Sequence, residues 1–152
     1  MGIDPAITLM PFQLQDQSSV KQLILAGMQE HWGKLDPSKN PDLDDIHTHY
    51  AGAVFLVARS GQRIVGTGAL IPHANLVGEI VRMSVTSDQR RNGIGKTILQ
   101  ALINQARTLG YQRIILETTS TWQEVIQFYL HSGFKITHTL DGDTYFEMHL
   151  SA

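Results

Sequence analysis

The sequence predicts an α/β fold, a mixed sheet with helices packed on it, and three observations lead there. Short apolar runs rich in β-branched residues, such as Val54 to Ala58 and Ile114 to Leu116, alternate with stretches whose apolar residues recur at helical spacing. Residues 77 to 109 read as strand, loop and helix: Val77, Ile80, Val81 and Val85 lead into a polar loop with glycines at 93 and 95, and helical periodicity then continues to Leu109. A further strand at 113–118 completes a β-α-β unit, which calls for a parallel pair with a right-handed crossover.

The elements follow in order. Residues 1–5 read as a disordered start, and Ile7 to Leu14 alternates apolar and polar residues as an edge strand does. Asp16 or Ser18 caps a helix whose inner face carries Val20, Leu23, Ile24, Ala26, Gly27 and Met28, and Gly33 stops it. A polar loop, 34–41, leads to a short helix started by Asp42 or Asp44, with Leu43, Ile46 and either His47 or Tyr50 inward. Val54 to Ala58, a turn at Ser60-Gly61-Gln62 and Ile64 to Ile71 form a hairpin, which Pro72 ends. Propensity disfavours Gly66 and Gly68 in its second strand, so they imply a bulge or a close approach of another element. After the central unit Gly110 stops the long helix. Ser120 or Thr121 caps a helix with Trp122, Val125, Ile126 and Tyr129 at helical spacing, terminated by Gly133. Lys135 to Leu140, a turn at Asp141-Gly142-Asp143 and Thr144 to Leu150 close an antiparallel hairpin. The order is β-α-α-β-β-β-α-β-α-β-β, in one domain spanning residues 1–152.

Composition removes several functional classes. With 42% apolar and 17% charged residues, a chain of 152 residues reads as an ordinary globular domain with a real core. A net charge of −2 gives no electrostatic footprint for nucleic acid. The lack of cysteine removes disulfides, thiolate metal sites and a cysteine acyl-enzyme. No signal peptide or 18-residue apolar span is apparent, so the expectation is a cytoplasmic protein that does not enter a membrane. Of the seven histidines, His47 and His49 are closest, but two residues apart on a helix they face different sides, so no metal site is expected. The acidic group Asp36, Asp42, Asp44 and Asp45 reads either as helix-starting, solvated carboxylates or as a hold for a cationic amine.

The loop at 85–96 carries the chemistry. Two glycines let successive backbone N–H groups turn into one concavity at the start of a helix, whose orphan donors and positive dipole end favour phosphate. A Walker A loop fails, because its first glycine would fall on Arg90, and a dinucleotide fingerprint fails, because its third would fall on Ile98. The pattern that fits is R-x-x-G-x-G, as Arg90-Arg91-Asn92-Gly93-Ile94-Gly95; taken alone, the hexapeptide is also compatible with a plain helix-capping turn. It resembles the acyl-coenzyme A pyrophosphate loop of the GNAT superfamily of N-acetyltransferases. Gly78-Glu79-Ile80-Val81-Arg82-Met83-Ser84-Val85 is similar to the family strand that enters this loop, and Phe128-Tyr129-Leu130-His131-Ser132-Gly133-Phe134 to its later F-Y-x-x-x-G-F segment. The element order resembles the GNAT fold along nearly the whole chain.

The resemblance implies acetyl-coenzyme A as cosubstrate and a small-molecule or peptide amine as acceptor, and it is compatible with a homodimer. Amides from Arg91 through Lys96 (Arg91, Asn92, Gly93, Ile94, Gly95, Lys96) would hold the pyrophosphate, with charge-assisted bonds from Arg90 or Arg91. The backbone of Met83 and Val85 would pair with pantetheine where strands 77–85 and 113–118 splay. Glu79 stands where some members carry the general base, with a solvated strand-edge carboxylate as the alternative. Tyr129 stands where the family usually carries the general acid, with a core aromatic as the alternative. Retention of both favours an enzyme over a non-catalytic acyl-coenzyme A sensor. One departure stands out: Trp122 occupies a position where the family often has asparagine, and it lines either the cleft or the core.

Overall fold

The computed structural model describes residues 7–33 and 39–150. Its strands are Ile7–Pro11 (β1), Val54–Ser60 (β2), Arg63–His73 (β3), Val77–Val85 (β4), Arg113–Thr119 (β5), Lys135–Leu140 (β6) and Asp143–His149 (β7). Its helices are Gln17–Trp32 (α1), Ile46–His49 (α2), Ile94–Thr108 (α3) and Gln123–His131 (α4). The strands form one sheet in the order β1-β2-β3-β4-β5-β7-β6, antiparallel throughout except for β4 and β5. The mixed sheet and the element order are those expected. The expectations for residues 1–5 and for most of the polar loop lie outside the described residues. No described helix is long and apolar enough to cross a membrane.

Both faces of the sheet are covered, which is why β2 reads as an unbroken apolar run. Leu56 and Ala58 face the same cluster as Ile94, Ile98, Leu102 and Ala106, the stripe of α3, together with Ile126 and Tyr129 of α4. Phe55 and Val57 face the other way, against Val20, Leu23 and Ile24 of α1 and Leu43, Ile46 and Tyr50 around α2. Tyr50, not His47, is the inward residue there, and Ala26, expected inward, is exposed.

Three local expectations are corrected. The first strand stops at Pro11, and residues 14–16 form a 3-10 turn. The cause is Asp16, whose carboxylate accepts the Gln13 N–H at 2.9 Å and pairs with Arg59 instead of capping α1 with its side chain. The N-cap position of α4 is Trp122, without a side-chain cap, because Ser120 Oγ is bonded to Thr144 Oγ1 at 2.8 Å. Strand β3 continues through Pro72 to His73. Pairing with β2 ends at Leu70, so Pro72 has a strand on one side only and its missing N–H costs the sheet little.

Gly66 and Gly68 serve both expected purposes. A Cβ on Gly68 would lie 2.6 Å from Met83 Sδ and 2.7 Å from Ile98 Cγ2, so the missing side chain is what lets α3 settle on the sheet. The β3–β4 register also slips between Thr67 and Ala69, which leaves Arg82 and Met83 opposite the single residue Gly68. At this bulge Arg82 adopts φ 56°, a left-handed conformation that costs a branched-out residue about 1–3 kcal/mol. Side-chain and backbone bonds hold it there. Thr67 Oγ1 donates to the Arg82 carbonyl at 2.8 Å, and the guanidinium binds both Asp42 oxygens, Nε at 2.9 Å and Nη2 at 2.6 Å. Nη2 also reaches Asn40 Oδ1 at 3.1 Å, and Tyr50 donates to Asp42 at 2.6 Å. The bulge is thereby tied to the segment that precedes α2.

Two expected outcomes follow. Gly68→Ala should lower unfolding free energy by about 1–3 kcal/mol through overpacking, read from the urea midpoint; an unchanged midpoint would show that Met83 and Ile98 yield freely. For Asp42, burial opposes the charge, but the bonds from Arg82 and Tyr50 outweigh it and hold the carboxyl below its ordinary range. A depressed folded value means the contribution is complete above the unfolded value of about 3.9 and fades as pH falls through the folded one. Asp42→Asn should therefore cost about 2 kcal/mol at neutral pH, between the surface and buried limits, and the gap to wild type should close only below about pH 4. A gap that ignores pH would remove the ion pair from the account.

Candidate active site

The parallel ladder between β4 and β5 has three rungs, Val77 with Arg113, Gly78 with Ile114 and Glu79 with Ile115. Beyond them β5 stays with β7 as far as Thr119 and Asp143, while β4 follows β3 through the bulge to Gly66 and Val85. The two strands therefore part, and a cleft of about 830 Å³ opens between them. One side of β4 beyond Glu79 is an unpaired strand edge, able to bond an extended ligand as another strand would.

The glycine loop closes the wide end of this wedge. Arg91 at φ 66° and Gly93 at φ 82° are left-handed, and Gly93 is the N-cap of α3. Thr97 N–H makes a bond to the Gly93 carbonyl at 3.0 Å, so the amides of the preceding first turn have no helical acceptor. Left-handed residues beside right-handed ones gather those amides into an anion-binding concavity, and the fifteen-residue α3 adds its dipole. A Cβ on Gly95 would meet Val85 Cγ2 at 3.6 Å and Phe128 Cζ at 3.7 Å, ordinary contact distances, so packing alone does not demand glycine there. Arg90 bonds the Val85 carbonyl at 3.2 Å and Glu30 at 2.5 Å, and Arg91 pairs with Glu124 at 3.2 Å in full solvent. Lys96 makes no ion pair among the described residues.

Of the residues expected to hold the cofactor, Met83, Val85, Arg90, Arg91, Gly93, Gly95 and Lys96 line the cleft. Asn92 and Ile94 do not: the Asn92 amide turns to Gln89 at 3.3 Å and the Ile94 side chain is in the core, so both offer only backbone. Tyr129 borders the cleft while its ring packs on Phe128, Phe134 and Phe146 at 5.2–5.8 Å between centroids, so it is a core aromatic at the edge of the site. Burial pushes its phenol above the ordinary tyrosine range. Glu79 is not in the lining, which begins on β4 at Ile80; it stands on the last rung of the ladder with its carboxylate 2.7 Å from His73 Nε2. By strand alternation Glu79 shares a face with Val81, on the α1 side, whereas Tyr129 belongs to the α3 side.

Trp122 lines the cleft, stacked on His31 at 4.3 Å and tilted against Trp32 at 6.1 Å. These residues of α1 and the Arg82–Asp42 pair were not singled out from the sequence. The break in the apolar pattern at Arg82 is the one signal that could have drawn attention to it. The acidic group is engaged internally: Asp42 by Arg82 and Tyr50, Asp44 by Lys21 at 2.7 Å and Asp45 by Thr48 N–H at 3.2 Å, while Asp36 lies outside the described residues. Among the described residues no group of three metal-ligating side chains converges.

Residues 19–134 match the family model described as the acetyltransferase (GNAT) family. N-acetyltransferase 8F1 of Rattus norvegicus is 34% identical over 103 residues, 63% of this chain and 47% of that protein, so the chain spans about half the length of such relatives. An IAA acetyltransferase of Azospirillum brasilense is 33% identical over 120 residues, 78% of either chain. Among solved structures, a GNAT acetyltransferase from Staphylococcus aureus Mu50 superposes with a TM-score of 0.87 at 25% identity, covering 95% of this chain and 99% of that one. The PaiA N-acetyltransferase of Thermoplasma acidophilum, solved with coenzyme A, gives 0.83 at 16% identity, with 95% and 99% covered, and shares the fold. With the family model matched over most of its length, this chain belongs to the GNAT acetyltransferase family.

Proposed function

We propose that the protein transfers an acetyl group from acetyl-coenzyme A to a primary amine held in the cleft between β4 and β5. The observation that carries this reading is the wedge itself, an unpaired β4 edge leading from the last rung at Glu79 to an amide-lined helix start at Gly93–Lys96. A pyrophosphate suits the loop, and an extended arm suits the edge. The relatives solved with coenzyme A or acetyl-coenzyme A support the cosubstrate.

Glu79 is the proposed general base. An ammonium with pKa near ~10.4 is no nucleophile, so its proton must leave before attack, and a carboxylate at the vertex of the wedge, on the α1 face, can accept it directly or through one water. Tyr129 is the proposed acid for the departing thiolate, and its phenolate regains a proton as the new amide nitrogen gives up its second one, directly or through water. Burial weakens the phenol as an acid, yet a thiolate released in the same dry cleft is a stronger base for the same reason. The two effects of burial therefore oppose one another in the proton transfer. Direct attack needs no acyl-enzyme, since holding amine and thioester together supplies the advantage.

The test begins with binding. Acetyl-coenzyme A at a hundred times Kd should stabilise the protein by about 2.7 kcal/mol, a rise in Tm of roughly 5–10 °C. Gly95→Ala should melt like wild type alone, because its Cβ meets only ordinary contacts, yet lose most of the cofactor-induced rise. A midpoint unmoved by saturating cofactor would overturn the assignment. Tyr129→Phe should keep fold and cofactor affinity and lose about 10²–10⁴ in single-turnover rate with the best substrate of a panel of alkyl, aromatic, amino-acid and peptide amines, followed by thiol release. A rate within a few-fold of wild type would make Tyr129 a packing residue alone.

A further inference from the structure

Glu79 and His73 meet across the β3–β4 hairpin. The register sets Ile71 opposite Glu79 and His73 opposite Val77, so the two side chains are diagonal neighbours on one face. Their contact is short, 2.7 Å between His73 Nε2 and Glu79 Oε1, and the carboxylate is the better buried of the two, 20% exposed against 44%. A carboxylate offers only lone pairs, so the imidazole nitrogen in this contact must be the donor.

We propose that His73 is a positioning residue for the reaction, fixing the Glu79 carboxylate by an Nε2–H bond to Oε1 so that Oε2 is the oxygen left to receive the amine proton. The inference rests on the reading of Glu79 as general base. A glutamate has three rotatable bonds, and nothing else among the described residues bonds its carboxylate. Without His73 the carboxylate would sample several rotamers along the strand edge, and neither oxygen would be held in one place to receive the proton. The bond to His73 selects one oxygen, as an orienting partner does for any base that must meet a proton at hydrogen-bond distance. His73 owes its place to the continuation of β3 past Pro72, which carries the strand three residues beyond its last contact with β2. The proton balance is simple: the ammonium proton passes to Glu79 Oε2 and leaves to solvent after each turnover, while His73 keeps its own.

The experiment compares His73→Phe, His73→Gln and Glu79→Gln with wild type in single-turnover acetyl transfer to the best amine of the panel, with acetyl-coenzyme A affinity and Tm measured alongside. His73 is partly exposed, so the phenylalanine variant should fold and bind cofactor as wild type does. Its transfer rate should fall on the order of tenfold or more, since misplacing a reacting group by about 1 Å can cost 10²-fold. His73→Gln, which restores a donor, should recover to within about threefold of wild type. If Glu79→Gln collapses while His73→Phe keeps its rate, or if the glutamine variant falls as far as the phenylalanine one, His73 does not position the base. If Glu79→Gln itself keeps its rate, the reading of Glu79 fails first and takes this inference with it.

Discussion

A parallel strand pair that stops after three rungs governs the molecule. The chain after Glu79 and Ile115 remains extended on both sides, so the pairing ends because each strand is claimed by its other neighbour: β4 by β3, through a bulge, and β5 by β7 along all seven of its residues. Bonds lost across the wedge are compensated by ladders that flank it, and the two packed faces keep the parted strands from drifting. A cleft through the middle of a sheet is unstable unless both banks are anchored elsewhere. Here the anchors are antiparallel ladders, β3 with β4 and β5 with β7, which do not depend on the contents of the cleft.

The bulge in β4 is where this arrangement stores its strain. Arg82 is neither glycine nor asparagine, yet it holds a left-handed backbone. Asp42, Asn40 and Tyr50 supply an over-determined set of bonds to its guanidinium or to the Asp42 carboxylate, and Thr67 fixes its carbonyl. The segment before α2 is therefore coupled to the same strand that borders the cleft. Any acceptor that displaces that segment would act on the bulge, and the reverse holds too.

Much of this was legible in the sequence because its signals are local. The loop at 90–96 declares itself by glycine spacing, α3 by its stripe at Ile94, Ile98, Leu102 and Ala106, and β2, covered on both faces, by its unbroken apolar run. Gly66 and Gly68 announced a bulge and a close approach, and both are present. What escaped is relational. Nothing in the sequence marks Arg82 as left-handed, since that conformation is imposed by partners forty residues away. The contact of His73 with Glu79 becomes visible only when the hairpin register is known, and Pro72 hides it by suggesting that the strand has already ended. Ser120 looked like a cap because its chemistry fits one, but a tertiary bond to Thr144 took the hydroxyl. The bank of the cleft built from His31, Trp32 and Trp122 joins α1 to the start of α4, a pairing that helical periodicity cannot state.

The division of the sheet into two faces has a chemical consequence. Tyr129 belongs to the face packed by α3 and borders the wedge, and Glu79 belongs to the face packed by α1, at the vertex of the wedge and outside its lining. Under the proposed roles, base and acid stand on opposite sides of a parted strand pair and do not exchange a proton directly. The aromatic packing of Tyr129 keeps its ring fixed and its phenol dry, while Glu79, itself 20% exposed, stands beside a partly exposed histidine. In the proposed mechanism one proton departs towards water beside α1 and the other is delivered beside α4. That separation follows from the strand alternation that also builds the two hydrophobic layers, so the geometry that stabilises the fold also sets the two residues proposed for proton transfer on different faces.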